Sequence, residues 1–168
     1  MIQDISARPS LSGEDRRWLR RASDAGLKAD PGLMAETAAS CPDTLKCSPD
    51  GIWYSGLAAG RFIELDRSGR LSQDPGVLED ILKAVHEVTE MDARAFLFVL
   101  AGMSMTALLT LTACWPRSRR QDQPFYIGLC FGRMLELPEE ERPGRDVSAA
   151  LSDLLKPFRR TDGEPTLL

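Results

Sequence analysis

A mainly α-helical single domain is predicted from three observations. Aspartate precedes four helix-compatible stretches, at Asp30, Asp74, Asp92 and Asp146, where a carboxylate can accept otherwise orphaned backbone N–H groups. Apolar residues recur at three- and four-residue spacing through Val77, Leu78, Ile81, Leu82, Val85 and Val88, the period of one helix face. From Ala95 to Trp115 no residue is charged, as expected of a helix buried on all sides. The predicted architecture is a helical bundle around a central hydrophobic helix at residues 93–115, with a small β-hairpin near residues 52–71.

The bulk numbers agree with one domain. A chain of 168 residues, 43% hydrophobic and 27% charged, has the composition of a soluble globular protein and can close a core without disulfides or metal. Residues 1–11 read as a flexible N-terminus, 12–160 as the helical domain and 161–168 as a flexible tail. No internal repeat stands out. The N-terminal stretch has no apolar signal-peptide core, so the expected location is cytoplasmic and the four cysteines are expected as thiols.

Taken in order, the first helix runs from Ser12 to Ala25, opened by Ser12 and Asp15 as a capping box and closed by Gly26. Asp30-Pro31 opens a second helix reaching Ser40, because a proline at the first helical position gives up an N–H that had no partner anyway. Residues 42–51 read as loop. Short apolar runs at 52–54 and 61–65, with a turn at Asp66–Gly69 leading to Arg70-Leu71, read as the hairpin. Asp74-Pro75 opens the amphipathic third helix. The fourth spans Asp92 to Pro116, the fifth segment Pro124 to Leu137, and the sixth helix Asp146 to Leu155. Gly102, Thr106, Thr110 and Cys114 form a stripe of small residues, and Gly128 and Gly132 share its spacing. Small residues let helix backbones approach closely, so the fourth and fifth segments are expected to pack as an antiparallel hairpin along these stripes.

The uncharged stretch has a second reading as a membrane span, because about 20 apolar residues cross a bilayer. Its serine and threonines and the apolar faces of its neighbours favour the buried-core reading.

Catalytic chemistry finds no foothold. No phosphate-binding glycine loop, dinucleotide fingerprint, zinc-protease motif or nucleophile elbow occurs, and no cofactor is implied. The only histidine, His86, lies beside the apolar stripe of the third helix, and Cys41, Cys47, Cys114 and Cys130 lack metal-site spacing. No catalytic, cofactor-binding or metal-binding residue is assigned.

Basic clusters remain: Arg16, Arg17, Arg20 and Arg21 in the first helix, Arg117, Arg119 and Arg120 after the fourth, and Arg159 with Arg160. A guanidinium donates two parallel hydrogen bonds to phosphate or carboxylate, and Trp18 has two readings, one stacking on a base and the favoured one packing inward as a core anchor beneath a solvated arginine face. The function expected is a non-enzymatic interaction or regulatory module binding a protein partner or itself. Nucleic-acid binding through the arginines is the alternative, and a single-pass membrane protein the third reading. Self-association draws on the stretch from Phe125 to Leu137, which carries more apolar residues than one helix face needs.

Overall fold

In a computed structural model, residues 10–28, 30–71 and 75–168 are described. Among them every regular element is helical: α1 (Gly13–Lys28), α2 (Pro31–Ala39), α3 (Asp43–Lys46), α4 (Pro49–Arg67), α5 (Pro75–Thr89), α6 (Ala93–Gly102), α7 (Met105–Ala113), α8 (Gln123–Glu136) and α9 (Arg145–Leu155). The all-α expectation holds, and the hairpin at 52–71 does not.

Local chemistry explains the starts. The Asp15 amide donates to Ser12 Oγ at 3.0 Å and the Ser12 amide to Asp15 Oδ2 at 2.8 Å, so the capping box at α1 is real. Asp30 caps α2 by accepting from the Leu33 amide at 2.9 Å, and Asp92 caps α6 by accepting from the Ala95 amide at 3.0 Å. Asp146 instead lies inside the first turn of α9, with Gly144 at the cap position. Asp74 and residues 1–9 lie outside the described residues. Gly26 does not stop α1, which runs on to Lys28; a Cβ there would sit 3.3 Å from the Tyr54 ring, so this glycine admits α4.

The segment read as loop and hairpin is the centre of the molecule. Ser48 caps α4 by accepting from the Gly51 amide at 3.3 Å, and the helix continues through the runs at 52–54 and 61–65, with Arg70-Leu71 beyond its end. The Asp66–Gly69 turn is its terminus: Gly69 takes φ +69° and the Arg70 amide returns to the Leu65 carbonyl at 2.9 Å. That is the left-handed stop glycine permits at helix ends. Because α4 is buried on most sides, its apolar residues do not follow a single-face period. It packs against α1, α2, α3, α5, α6 and above all α8.

The α4–α8 contact is parallel. A Cβ built on Gly56 would lie 2.0 Å from the Phe125 carbonyl oxygen, and one on Gly60 2.2 Å from that of Leu129. Reciprocally, Cβ atoms on Gly128 and Gly132 would meet the Trp53 and Leu57 carbonyls at 2.1 Å each. Residues rise together along both helices, and each contact is repeated with its partners exchanged 72 positions along the chain. That exchange is the signature of a two-fold relation, here inside one chain.

The sequence carries the same relation. Tyr54–Leu65 and Tyr126–Leu137 share tyrosine, two glycines, leucine, arginine, glutamate and a closing leucine at matching positions. The reading that finds no internal repeat is therefore corrected. Each repeat tyrosine stacks near a tryptophan, Tyr54 on Trp18 with ring centroids 5.4 Å apart and Tyr126 on Trp115 at 4.0 Å.

The antiparallel hairpin is also corrected. Gly128 and Gly132 face α4, whereas Gly102, Thr106, Thr110 and Cys114 are all exposed. The helix expected at 93–115 is two helices, α6 and α7, bent by 111°. Two features break it. Ser104 caps α7 by accepting from the Ala107 amide at 3.1 Å. Arginines take the carbonyls left at the end of α6: Arg133 Nη1 donates to Met103 O at 2.8 Å and Arg67 donates to Ala101 O. Far from being central, this pair buries only Ala93, Leu97, Leu100, Leu108 and Thr112.

Of residues 161–168, expected as a flexible tail, Glu164 and residues 166–168 are partly buried against the helices, while 161–163 and Pro165 are exposed. Leu167 and Leu168 pack on the core, and Asp50 holds the segment.

Candidate functional site

Three places carry chemistry: the α1 arginine face, the ion pairs between α4 and α8, and the outward face of α6–α7.

The α1 arginines do not form a nucleic-acid platform with Trp18. Trp18 is buried, and its indole N–H donates to the Thr37 carbonyl at 2.9 Å. Arg16 is clamped onto Glu164 by two hydrogen bonds of 2.7 and 3.2 Å, which raise its already high pKa. Arg21 pairs with Glu36 at 2.9 Å. Arg17, Arg20 and Arg21 line an open depression of about 370 Å³ with Asp24, Ala25 and Leu33. Arg117, Arg119 and Arg120 are not among its lining residues. They sit on a 3-10 turn at Arg117–Asp122, where Arg119 pairs with Asp122 at 3.2 Å and Arg120 lies over the Phe158 ring at 5.5 Å. Arg160 is drawn inward to Asp50 at 3.7 Å.

The second place escapes motif reading. Arg133 is 1% exposed, and its Nε donates to Glu64 at 2.6 Å. The repeat-related pair, Arg61 with Glu136, is also 2.6 Å apart. Arg70 joins Glu136 at 3.3 Å and donates to its backbone carbonyl at 2.7 Å. A cleft of about 450 Å³ opens at this end, lined by Glu64, Arg67, Arg70, Glu136, Glu141 and Arg142 among others. Those six side chains balance in charge, and the guanidiniums are spent on carboxylates and helix-end carbonyls. Their role is to hold register: sliding α8 by one turn would strand buried charges, which costs far more than an exposed pair contributes. The signal that finds these residues is the repeat, in which arginine and glutamate follow the second glycine at the same spacing in both copies.

The third place is the outward face of α6–α7. Phe98 is 81% and Val99 62% exposed, and Leu111 is also open. Arg94 is the only charged residue of the two helices. Ordinary solvent-facing helix surfaces are lined with charge, so this face is apolar and uncovered at once. Its exposure contradicts the reading that residues 96–114 are sheathed by the protein's own helices. Conversely, the stretch from Phe125 to Leu137, offered as a surplus surface, lies almost wholly inside, between α4, α7 and α9.

Titratable groups elsewhere serve the fold. Burial alone would raise the Asp15 pKa, but hydrogen bonds involving Thr44 and Ser12 hold the carboxyl below its ordinary value. Desolvation pushes the Cys41 thiol up to about 12 and Cys130 to about 11, while Cys47 and Cys114 are exposed. His86 is exposed, with Nδ1 3.0 Å from the Met91 carbonyl. Among the described residues no cluster of His, Cys, Asp and Glu could hold a metal ion, and no single helix is long and apolar enough to cross a membrane.

The chain matches no protein-family model, no curated protein and no solved structure.

Proposed function

We propose that the chain is a non-enzymatic interaction module whose α6–α7 face seats a protein partner, in the first instance a second copy of itself. The carrying observation is the apolar exposure of Phe98 and Val99 on α6 and of Leu111 on α7, with Arg94 the single charge of the two helices. A symmetric dimer places the same patch on both sides of the interface. Its one charge, Arg94, is paired with Glu79 at 3.1 Å, which limits the like-charge penalty when the patch meets its own copy, and burying large apolar side chains then drives association. Location in the cytoplasm belongs to the same reading and is supported by the four free thiols.

Light scattering over a concentration series tests it. The wild-type chain is expected to dimerise, and Phe98→Glu with Val99→Glu to stay monomeric while keeping its helical content. A strict monomer at every concentration, with no partner cross-linked through a probe at residue 98, would defeat the proposal. Nucleic-acid binding has less support, because Trp18 is internal and Arg16, Arg21 and Arg119 are already paired with acids.

A further inference from the structure

The segment after α9 lies in a groove between α1 and the N-terminal end of α4, and the manner of its docking is informative. Glu164 is gripped by the Arg16 guanidinium through two hydrogen bonds. The Thr166 hydroxyl and the Leu167 amide both donate to Asp50 Oδ1, at 2.9 and 2.7 Å. Leu167 and Leu168 then rest on the core. This is recognition of an extended peptide: one carboxylate in an arginine fork, one backbone amide and hydroxyl on a buried carboxylate, and two leucines on an apolar floor.

The fit is incomplete. Asp50 is fully buried, yet its Oδ2 has no hydrogen bond, and neither Nε nor Nη1 of the buried Arg160 has one. Their 3.7 Å approach is an ion pair without a hydrogen bond. Buried polar atoms left this way cost free energy, and the cost falls at Asp50, the group on which residues 166 and 167 are anchored. Beside it a cavity of about 290 Å³ stays open, bounded by Arg16, Arg20, Asp24, Pro165 and Leu167 among others. Arg20 also lines the neighbouring depression with Arg17 and Arg21, so the cationic face extends beyond what residues 161–168 cover.

We propose that this groove is a docking site for an extended acidic–leucine peptide of a partner protein, with a glutamate three and four positions ahead of two leucines, and that residues 164–168 fill it in cis as a displaceable occupant. It is a surface separate from α6–α7, and its partner is defined by charge complementarity with the α1 arginines. Release of the segment frees Arg16 and Asp50 together, so partner binding and release of the cis segment are one equilibrium.

The test uses the full chain and a fluorescent synthetic peptide, Thr-Asp-Gly-Glu-Pro-Thr-Leu-Leu. A Glu164→Ala/Leu167→Asp variant removes the cis competitor and is expected to bind this peptide at least about tenfold more tightly than wild type. Adding Arg16→Glu is expected to abolish that binding and to restore it for a peptide with lysine in place of glutamate. If the folded double variant binds no better than wild type, or if Arg16→Glu changes nothing, the proposal is overturned. Should the double variant fail to fold, the wild-type chain decides: excess peptide must speed hydrogen exchange at the Leu167 amide, and unchanged exchange overturns the proposal as well.

Discussion

The α4–α8 pair and the α6–α7 pair are opposites in both composition and position. The first contains four glycines at its contact, two arginines and two glutamates, and it forms the interior. The second holds a single charged residue, yet it lies at the periphery with Phe98 facing outward. Hydropathy ranks these regions the wrong way round. Burial here follows shape and pairing: glycines bring two backbones into contact, and each charge entering with them finds a partner of opposite sign at 2.6 Å. The apolar pair has no such complement among the described residues, which leaves its face available.

Substitutions can break or sharpen this contrast. The largest effect is expected at the buried ion pair. Arg133→Met leaves Glu64 inside without its main partner and should cost about 3–5 kcal/mol in denaturant unfolding, whereas Arg94→Ala, from an exposed pair with Glu79, should cost about 0.5 kcal/mol or less. Of similar size, Phe125→Ala is expected to cost about 3–5 kcal/mol, and Phe98→Ala to change stability by about 0.5 kcal/mol or less while weakening association.

A smaller effect concerns pH. The Asp15 carboxyl has a lowered folded-state pKa, so its stabilisation is complete above the unfolded value of about 4 and fades as pH falls below it. Asp15→Asn should flatten that acid limb of the stability curve. The thiols give the mildest test. Cys47 and Cys114 should react with a disulfide reagent in the native protein, whereas Cys41 and Cys130 should react only after unfolding, because burial keeps them protonated.

Much of the fold is legible in the sequence where one face governs. The α5 stripe at Val77, Ile81 and Val85, the capping box at Ser12–Asp15 and the caps at Asp30 and Asp92 are local devices, and each appears as read. α4 is not legible this way. A helix buried on most sides loses its one-face period, and its apolar residues fall into short runs that imitate strands. Gly56 and Gly60 look like strand breakers until their partners are known. The repeat hides because the twelve-residue match of 54–65 with 126–137 lies among segments that diverge. The arginine set was visible as a cluster, but its use was not: which guanidinium meets Glu164, Glu36 or Asp122 depends on distant chain. Exposure at Phe98 was hidden for the opposite reason, since an uncharged run looks the same whether it lies inside the fold or on its surface.

The central claim is that glycine contact between α4 and α8, rather than the apolar α6–α7 stretch, holds the molecule together. One substitution made at two sites tests it. A Cβ on Gly132 meets the Leu57 carbonyl at 2.1 Å, and one on Gly102 meets nothing within 4 Å. Thermal unfolding is expected to show Gly132→Ala lowering Tm by roughly 6–12 °C, from about 3 kcal/mol of forced helix separation, while Gly102→Ala leaves it unchanged or raises it by about 1–4 °C. Equal and small shifts at both positions would contradict the account.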